Sequence, residues 1–384
     1  MRSVRRAPAG VVVAALLAGG CARPPVVPVS PAPATLREAA GPLLIGVAVN
    51  APTAAGGDTL SAALVRRHFN AVTPENVFKW EWVHPRPGVF DFAAADQLVA
   101  FAERNGQVVI GHVLVWHQQT PRWVFQDASG APVSRDTLLD RMREHIQTVV
   151  GHFRGRVLGW DVVNEAVDDE GNLRRTPWLS IIGEDFIARA FVYAHQADPN
   201  AELYYNDYSV ENAPKRQGIL ALVRRLMASG VPITGVGIQG HDHLDWPTVA
   251  QEDSTIAAFA ALGLKVPITE LDLDVLPRPD ERTGAELGDT ARARAALDPY
   301  RAGLPDSMQQ AVARRWGELF GVFLRYPWIV SRVTIWGVTD RTSWKNDFPV
   351  RGRTNYPLLF DRSGRPKPAF DAVLRALQRP GAAP

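Results

Sequence analysis

Apolar, β-branched runs of five to eight residues recur along the chain from residue 36 onward, and a longer amphipathic stretch follows each of them. Short apolar runs bounded by turn-forming residues are typical of buried strands. We therefore predict eight strands, at Leu43–Val49, Phe69–Thr73, Val108–Val115, Val157–Val163, Glu202–Asn206, Gly235–Gln239, Val266–Leu271 and Arg332–Trp336.

The amphipathic stretches predict helices. Proline and glycine mark several of their ends, as in the Asp-Pro-Asn of residues 198–200 and the Gly-Val-Pro of residues 230–232. Such residues interrupt regular structure and favour turns. The predicted helices are Leu60–Arg67, Ala93–Asn105, Arg135–Phe153, Ile181–Ala197, Pro214–Ser229, Thr248–Leu262, Met308–Tyr326 and Pro368–Leu377.

This repeated alternation of strand and helix favours a parallel sheet closed into a barrel. We predict the α/β class and a (β/α)8 TIM barrel, in a single domain over residues 36–380. The main alternative is an open doubly wound sheet, which usually carries a glycine-rich phosphate-binding turn. No such turn follows the first predicted strand. The long connection over residues 277–307 follows the seventh strand, and we expect it to overhang the active face.

The N-terminal segment has the pattern of a processing signal. Three arginines in the first six residues precede the short apolar run Val11–Leu17. Seven strongly apolar residues are too few to span about 30 Å of hydrocarbon, so we interpret residues 1–20 as a signal peptide. The run ends in Leu-Ala-Gly-Gly-Cys, which resembles a bacterial lipoprotein signal with Cys21 as the lipidated residue. A plain signal peptide with an incidental cysteine is the alternative.

A proline-rich segment follows, with five prolines among residues 22–35. This composition cannot bury a core and favours an extended spacer. We interpret residues 21–35 as a tether, attached to a membrane only through a possible lipid on Cys21. The expected location is therefore outside the cytoplasm: periplasmic, on the outer membrane as a lipoprotein, or extracellular.

Composition narrows the choice of partners. The 384 residues are 46% hydrophobic and 21% charged, and the net charge of +2 becomes −1 without the three N-terminal arginines. No basic surface is indicated, so we expect no nucleic-acid partner. Cys21 is the only cysteine, so no intramolecular disulfide can form and an exported domain must depend on its core for stability.

Polar side chains concentrate where the predicted strands end. Catalytic groups of barrel enzymes lie at the carboxyl ends of the strands. Carboxylates, amides, imidazoles and indoles would therefore converge on one mouth of the barrel. These residues are Glu75, Asn76, Lys79, His112, Trp116, Gln119, Asn164, Glu165, Tyr208, Gln239, His241, Glu270, Asp272, Trp336 and Trp344.

This set suits the hydrolysis of a glycosidic bond, which needs two carboxyl groups flanking the bond. Glu165 and Glu270 end strands four and seven, roughly opposite each other across the barrel. Asp272 lies two residues after Glu270 and on the same side of its strand, where it can hold His241 against Glu270. An imidazole hydrogen bond there would keep Glu270 ionised as a nucleophile.

The sequence resembles glycoside hydrolase family 10, the family of β-1,4-xylanases, in seven segments that run in order over about 300 residues. They are TPENVFKWE (73–81), GHVLVWHQQTPRW (111–123), WDVVNEA (160–166), YYNDYSVE (204–211), GVGIQGH (235–241), ITELD (268–272) and WGVTDRTSW (336–344).

The resemblance implies an endo-acting retaining xylanase with Glu165 as acid/base and Glu270 as nucleophile. It implies that Asn164 contacts the 2-hydroxyl of the reacting sugar, and that His241 and Asp272 support Glu270. Retention requires carboxyl groups about 5–5.5 Å apart. The resemblance further implies a sugar-binding or supporting role for Glu75, Asn76, Lys79, His112, Trp116, Gln119, Tyr208, Gln239, Trp336 and Trp344.

We expect xylan and xylo-oligosaccharides as substrates, a monomer, and no cofactor or metal. Three alternatives remain. A retaining β-1,4-glucanase or mixed-linkage glucanase would use the same barrel. A metal-dependent hydrolase is disfavoured because only His241 and His243 form a close histidine pair at a strand end. A non-catalytic carbohydrate-binding barrel would be expected to lack one glutamate of the pair, and both are present.

Overall fold

The computed structural model describes residues 35–278 and 296–378, and a closed ring of eight parallel strands lies at their centre. The ring order is β1–β2–β3–β4–β5–β6–β8–β9, and pairing of β9 with β1 and of β6 with β8 closes it. The strands are β1 Leu44–Val49, β2 Ala71–Pro74, β3 Val108–Val115, β4 Gly159–Asn164, β5 Glu202–Asp207, β6 Gly235–Ile238, β7 His241–His243, β8 Ile268–Asp274 and β9 Arg332–Ile335.

The short strand β7 differs from the sequence prediction, which ended the sixth strand at Gln239. Gly240 adopts a left-handed backbone conformation with φ of 75°, which glycine reaches without steric cost. The chain bends there and then pairs in parallel with β8, with His241 opposite Asp272. This bend is what places the imidazole of His241 beside the carboxyl groups of β8.

Helices surround the ring, and the predicted helix Ile181–Ala197 spans the end of one helix and the whole of the next. Gly183, with φ of 96°, ends the first of these, and the second begins at Phe186. The helices are α1 Leu36–Ala39, α2 Ala51–Ala54, α3 Thr59–His68, α4 Trp80–Val83, α5 Ala93–Arg104, α6 Arg135–His152, α7 Pro177–Ile182, α8 Phe186–Ala197, α9 Ala213–Ala228, α10 Val249–Ala260, α11 Asp306–Phe323 and α12 Pro368–Leu377.

The apolar core fills the space between the strands and the helices. Its packing is close where β3 meets β4: a Cβ atom added to Gly111 would lie 2.1 Å from the indole ring of Trp160. Register shifts interrupt the ladders of β4 with both of its neighbours, between His112 and Val115 on β3 and between Asp161 and Val163 on β4. Such irregularities re-aim side chains near active sites, and these two lie just before the polar strand ends.

Some of the predicted segments lie outside the described residues. These are the signal peptide (1–20), most of the tether (21–35) and residues 279–295 of the long connection. Thr35, the last tether residue, caps α1 by accepting a hydrogen bond from the backbone of Glu38 at 3.3 Å. Within the described ranges, no helix combines the length and apolar character needed to cross a membrane.

Candidate active site

The carboxyl ends of the strands enclose a cleft of about 660 Å³. All but one of the residues assigned to the site from the sequence line this cleft. They are Glu75, Asn76, Lys79, His112, Trp116, Gln119, Asn164, Glu165, Tyr208, Gln239, His241, Glu270, Trp336 and Trp344. The exception is Asp272, which is fully buried behind His241. The barrel thus brings the whole predicted set together.

Glu165 directly follows β4 and has a left-handed backbone, with φ of 56°. Three side chains hold its carboxyl group. Asn164 Nδ2 and Gln239 Nε2 each donate to Oε1 at 3.0 Å, and Trp116 Nε1 donates to Oε2 at 2.9 Å. With donors on both oxygens, the carboxyl group has a single fixed orientation at the surface of the cleft.

Glu270 lies within β8 and is 5% exposed. Asn206 Nδ2 donates to its Oε1 at 2.8 Å, and His241 Nε2 lies 3.3 Å from its Oε2. Burial alone would raise the pKa of Glu270, but the hydrogen bond with His241 and the nearby His112 ring bring it below its usual value. Glu270 is therefore an anion at neutral pH, as a nucleophile must be.

Two asparagines connect the glutamates. Asn206 Nδ2 donates at 2.8 Å both to Glu270 Oε1 and to Asn164 Oδ1. Asn164 in turn donates to Glu165, as described above. A chain of amide hydrogen bonds therefore runs from one carboxyl group to the other. Because amide groups are rigid and planar, this chain fixes the separation of the two glutamates.

His241 lies between two carboxylates. Its Nδ1 is 3.0 Å from Asp272 Oδ2, and its Nε2 faces Glu270. Burial would lower the pKa of His241, but the charge and hydrogen bond of Asp272, with the bond to Glu270, raise it to about 9. The ring is therefore a cation at neutral pH and donates from both nitrogens.

Asp272 is held in turn by two residues of the loop after β9. Trp344 Nε1 donates to its Oδ2 at 2.7 Å, and Lys345 Nζ lies 3.6 Å from its Oδ1. Although burial opposes ionisation, the Lys345 ammonium and the His241 ring hold the pKa of Asp272 below its usual value. Asp272 therefore remains an anion and can stabilise the protonated ring of His241.

A buried lysine is bound by side chains from two loops at the wall formed by β2 and β3. Lys79 Nζ donates to Asn76 Oδ1 at 3.0 Å and to Gln119 Oε1 at 2.7 Å, and it lies 5.1 Å from the ring centre of Trp116. Burial lowers the pKa of Lys79, although Glu270 and Glu75 oppose this. Burial also favours the neutral form of Glu75, because it raises the pKa of that carboxyl group. These groups present donors and acceptors suited to sugar hydroxyls.

The cleft is also lined by His112, on β3, and by two indoles that follow β9. His112 Nδ1 is 2.9 Å from Asp161 Oδ2, so the rest of the ring faces the cleft in a fixed orientation. Trp336 meets this ring edge-on, with 5.2 Å between ring centres. Trp344 stacks on Phe348, with ring centres 4.9 Å apart. Aromatic faces of this kind pack against the apolar faces of sugars.

Beside Glu165, Tyr208 is held by two cations. Lys215 Nζ lies 3.4 Å from the centre of its ring, and Arg174 Nη2 donates to its hydroxyl at 2.8 Å. Lys215 is also paired with Asp207 at 2.9 Å, and both side chains are fully buried. Burial raises the pKa of Asp207 to about 6 in spite of this partner. The position of the Tyr208 ring is thereby fixed on this side of the cleft.

Several lining residues were not assigned to the site from the sequence: His117, Gln118, Arg174, Ser209, Lys345 and Phe348. Asn206 was given no specific role from the sequence, although it lies among the polar residues near the end of β5. Arg174 has no such signal. It lies ten residues beyond β4 and returns to the cleft only because the intervening chain folds back on itself, with Val167 paired antiparallel to Leu173.

The geometry provides an anionic carboxylate, a second fixed carboxyl group, and a surrounding layer of indoles and hydroxyl-binding groups. This arrangement fits acid- and nucleophile-assisted cleavage of a glycosidic bond. In the described parts of the chain, no three histidine, cysteine, aspartate or glutamate side chains are arranged to hold a metal ion.

Comparisons with known proteins agree with this chemistry. The chain is 42% identical over 352 residues to endo-1,4-beta-xylanase A of Xylanibacter ruminicola, covering 91% of this chain and 95% of that one. It is 44% identical over 314 residues to a beta-1,4-xylanase of Dictyoglomus thermophilum, covering 81% and 83% of the two chains. The solved structure of a family 10 endoxylanase from a sugarcane soil metagenome matches with a TM-score of 0.84 at 42% identity, over 89% of this chain and 99% of that one.

The sequence profile described as Glycosyl hydrolase family 10 matches residues 34–376, which include every strand of the barrel and every residue of the cleft. The prediction of a (β/α)8 barrel is confirmed. On this match and on the relatives that cover nearly its whole length, the chain belongs to glycosyl hydrolase family 10.

Proposed function

We propose that this protein is an endo-β-1,4-xylanase that cleaves xylan and xylo-oligosaccharides with retention of anomeric configuration. The observation that carries the proposal is the pair of glutamates fixed by the Asn164–Asn206 chain of hydrogen bonds. The xylanase names of the full-length relatives support the substrate class.

In the first step Glu270, kept anionic by His241, attacks the anomeric carbon and forms an ester to the sugar. Glu165 gives its proton to the glycosidic oxygen as the bond from that oxygen to the anomeric carbon breaks. In the second step Glu165, now a carboxylate, takes a proton from water while the water oxygen attacks the same carbon. The ester bond breaks and Glu270 is released as a carboxylate.

The surrounding side chains fit the positioning that such a reaction requires. Asn164 lies against Glu165 and faces the cleft, where it can bind a hydroxyl of the reacting sugar. Lys79, Glu75 and Asn76 offer charged and amide groups to hydroxyls on the β2 side. Tyr208 offers an aromatic face beside Glu165. Contacts on both sides of the scissile bond hold the sugar in the geometry of the reaction, which increases the rate.

Substrate class is tested by measuring reducing sugar released from xylan, carboxymethyl-cellulose and mixed-linkage glucan at equal concentration. We expect strong preference for xylan, together with NMR signals of the β-anomer forming first. Preference for either glucan would favour the glucanase alternative. Initial appearance of the α-anomer would exclude the double displacement.

The roles of the two glutamates can be separated with Glu165→Ala and Glu270→Ala. Each should lose several orders of magnitude of turnover on xylan while the exposed neighbour variant Glu170→Ala remains active. Azide with an activated aryl xylobioside should restore both, but with opposite stereochemistry. In Glu270→Ala azide replaces the nucleophile and yields the α-azide. In Glu165→Ala it attacks the enzyme ester and yields the β-azide. Reversed products would exchange the two roles.

We also propose that the protein is exported as a monomer, with Cys21 as a lipidation site. The N-terminal arginines, the apolar run and Cys21 support export. Labelled palmitate should be incorporated into the wild-type protein and not into Cys21→Ser. Incorporation into both variants, or into neither, would leave a plain signal peptide as the better interpretation. Light scattering of the purified protein tests the monomer.

A further inference from the structure

A β-hairpin after β4 carries Arg174 back to the base of Glu165. Val167 and Leu173 pair antiparallel across it, and the turn closes with Asp168 N donating to Asn172 O at 2.8 Å. The backbone N–H of Arg174 donates to Ala166 O at 2.7 Å. The backbone of Arg174 is therefore bonded to Ala166, the residue that follows Glu165, although nine positions separate Arg174 from Glu165 in the sequence.

The guanidinium group of Arg174 makes three hydrogen bonds around that position. Nε donates to the carbonyl of Glu165 at 2.9 Å. Nη2 donates to the carbonyl of Val167 at 3.2 Å and to the hydroxyl of Tyr208 at 2.8 Å. A planar guanidinium can satisfy these acceptors together, whereas a lysine ammonium lacks this geometry.

The backbone that these bonds hold is strained. Glu165 has φ of 56°, and a left-handed conformation costs a residue with a Cβ about 1–2 kcal/mol. Its N–H donates to Asn206 O at 2.9 Å, and the next N–H, of Ala166, donates to the hydroxyl of Tyr205 at 3.1 Å. Arg174 holds the carbonyl between them. Such strain persists where surrounding contacts determine the conformation, often at functional sites.

We propose that Arg174 is a positioning residue for proton transfer by Glu165. It holds the left-handed turn that aims the Glu165 carboxyl group at the glycosidic oxygen, and it fixes Tyr208 on the same side of the cleft. This inference rests on the proposed function, because it assigns Glu165 the acid role. None of the Arg174 hydrogen bonds reaches Glu270, whose carboxyl group is held by Asn206 and His241.

This role predicts a specific kinetic signature. With a natural or phenyl leaving group, the departing oxygen needs the proton of Glu165 as its bond to the sugar breaks. A dinitrophenolate leaves as a stable anion and takes no proton. Displacing Glu165 therefore slows glycosyl transfer from a phenyl β-xylobioside and spares transfer from the dinitrophenyl analogue. A general loss of structure would slow both.

The experiment compares kcat/KM of Arg174→Met and Arg174→Lys on these two substrates, with Glu165→Ala as the benchmark. General acid catalysis contributes about 10²–10⁴-fold, and a displacement of about 1 Å can cost about 10²-fold. For Arg174→Met we expect a loss of about 10–100-fold with the phenyl substrate and less than about threefold with the dinitrophenyl substrate. Arg174→Lys should recover only a small part of the loss.

Arg175→Met is the matched control, since Arg175 is the exposed neighbour, and it should behave as wild type on both substrates. Equal losses on the two substrates in both Arg174 variants, or no loss, would overturn the inference. If Arg174→Met does not fold, as judged by circular dichroism, the ratio for Arg174→Lys decides. If Glu165→Ala itself shows no leaving-group dependence, the proposed function fails as well, so the two failures are distinguishable.

Discussion

Replacing Asp272 with asparagine should convert His241 from a cation into a neutral imidazole at neutral pH. The native carboxylate is fully buried, lies 3.0 Å from Nδ1 of the ring and is the main cause of the raised pKa of His241, about 9. Asparagine has nearly the same shape and no charge. Burial, which lowers the pKa of a histidine, would then be largely unopposed, and we expect that pKa to fall to about 7 or below.

The magnitude of the effect on stability follows from linkage. The pKa of His241 is about 9 in the folded protein against 6.5 for a free histidine, a difference equivalent to about 3.4 kcal/mol. Because the folded value is the higher one, this stability is fully present below pH 6.5 and is lost as the pH rises through 9. The contribution is about 3.2 kcal/mol at pH 6, about 2.6 at pH 7 and about 0.4 at pH 9.

The assay is urea unfolding of the wild type and of Asp272→Asn at several values between pH 6 and 9, with an NMR titration of the His241 ring. The difference in unfolding free energy between the two proteins should be larger at pH 6 than at pH 9 by about 2.5 kcal/mol. A gap that stays constant with pH would refute the reasoning. So would a ring that still titrates near its wild-type pKa.

A matched control exists two residues beyond His241. Asp245 lies 2.8 Å from Nδ1 of His243, but its side chain is 85% exposed. An ion pair in that setting contributes about 0–1 kcal/mol. Asp245→Asn should therefore change the unfolding free energy little at any pH. A pH-dependent loss as large as that of Asp272→Asn would show that burial is not the cause.

Asp272→Asn should also change the ionisation of Glu270. Protonated His241 helps to hold the pKa of Glu270 below its usual value, and this contribution weakens when the ring is neutral. We expect the acid limb of the kcat/KM profile on xylan to move to higher pH in Asp272→Asn. An acid limb that does not move would show that the charge of His241 does not determine the ionisation of Glu270.

Three further predictions concern the scaffold. Gly111→Ala would place a Cβ 2.1 Å from the indole of Trp160, and overpacking of this kind should remove about 3 kcal/mol of unfolding free energy in urea. Burial lowers the pKa of His84 to about 4, so the neutral form contributes stability that is lost as the pH falls from 6.5 to 4. His84→Phe should abolish about 3 kcal/mol of this acid-induced loss, measured by unfolding at both pH values. Lys367→Met would leave the fully buried carboxylate of Asp340, 2.8 Å away, without its cation. The expected loss is about 3–5 kcal/mol, and Asp340→Asn in the same chain should recover part of it.

Each of these has a result that would contradict it. Gly111→Ala with wild-type stability would mean that the Trp160 ring can move aside. An unchanged stability difference between pH 6.5 and 4 in His84→Phe would assign the acid loss to other groups, such as His145, whose pKa burial also lowers. A double variant of Lys367 and Asp340 no better than Lys367→Met would show that unpaired charge is not the origin of the loss.

The elements of the barrel were largely predictable from local pattern. Val108–Val115 and Pro368–Leu377 have the bounds that the apolar runs predicted. The second and seventh predicted strands, which are β2 and β8 in the structure, begin two residues later than predicted, at Ala71 and Ile268. An apolar residue at a strand end is buried whether or not its backbone has a ladder partner, so hydrophobicity alone cannot place the boundary. The two-helix break at Gly183 and the extra strand β7 depend on glycine conformations that the sequence permits but does not require.

The candidate site was predictable in its membership and not in its connections. Strand ends in a parallel barrel meet at one face, so the residue types at those ends predicted the cleft. The amide chain between the glutamates was not predictable. It joins residues 42 and 64 positions apart in the sequence, and a hydrogen bond forms only within about 3.5 Å. The expectation that functional groups lie at strand ends could not identify Arg174, because a hairpin after β4 brings this residue to the cleft.

The sequence by itself determined which faces are buried, the alternation that forms the barrel, and the presence of two glutamates among indoles and amides at the strand ends. These follow from local periodicity and residue chemistry. Only the tertiary structure decided how those groups are charged and aimed. It set the pKa of His241 near 9 by burying Asp272 beside it, and it fixed Glu165 in a left-handed turn. Charge and orientation depend on distances of a few ångströms between remote segments, which the order of residues does not specify.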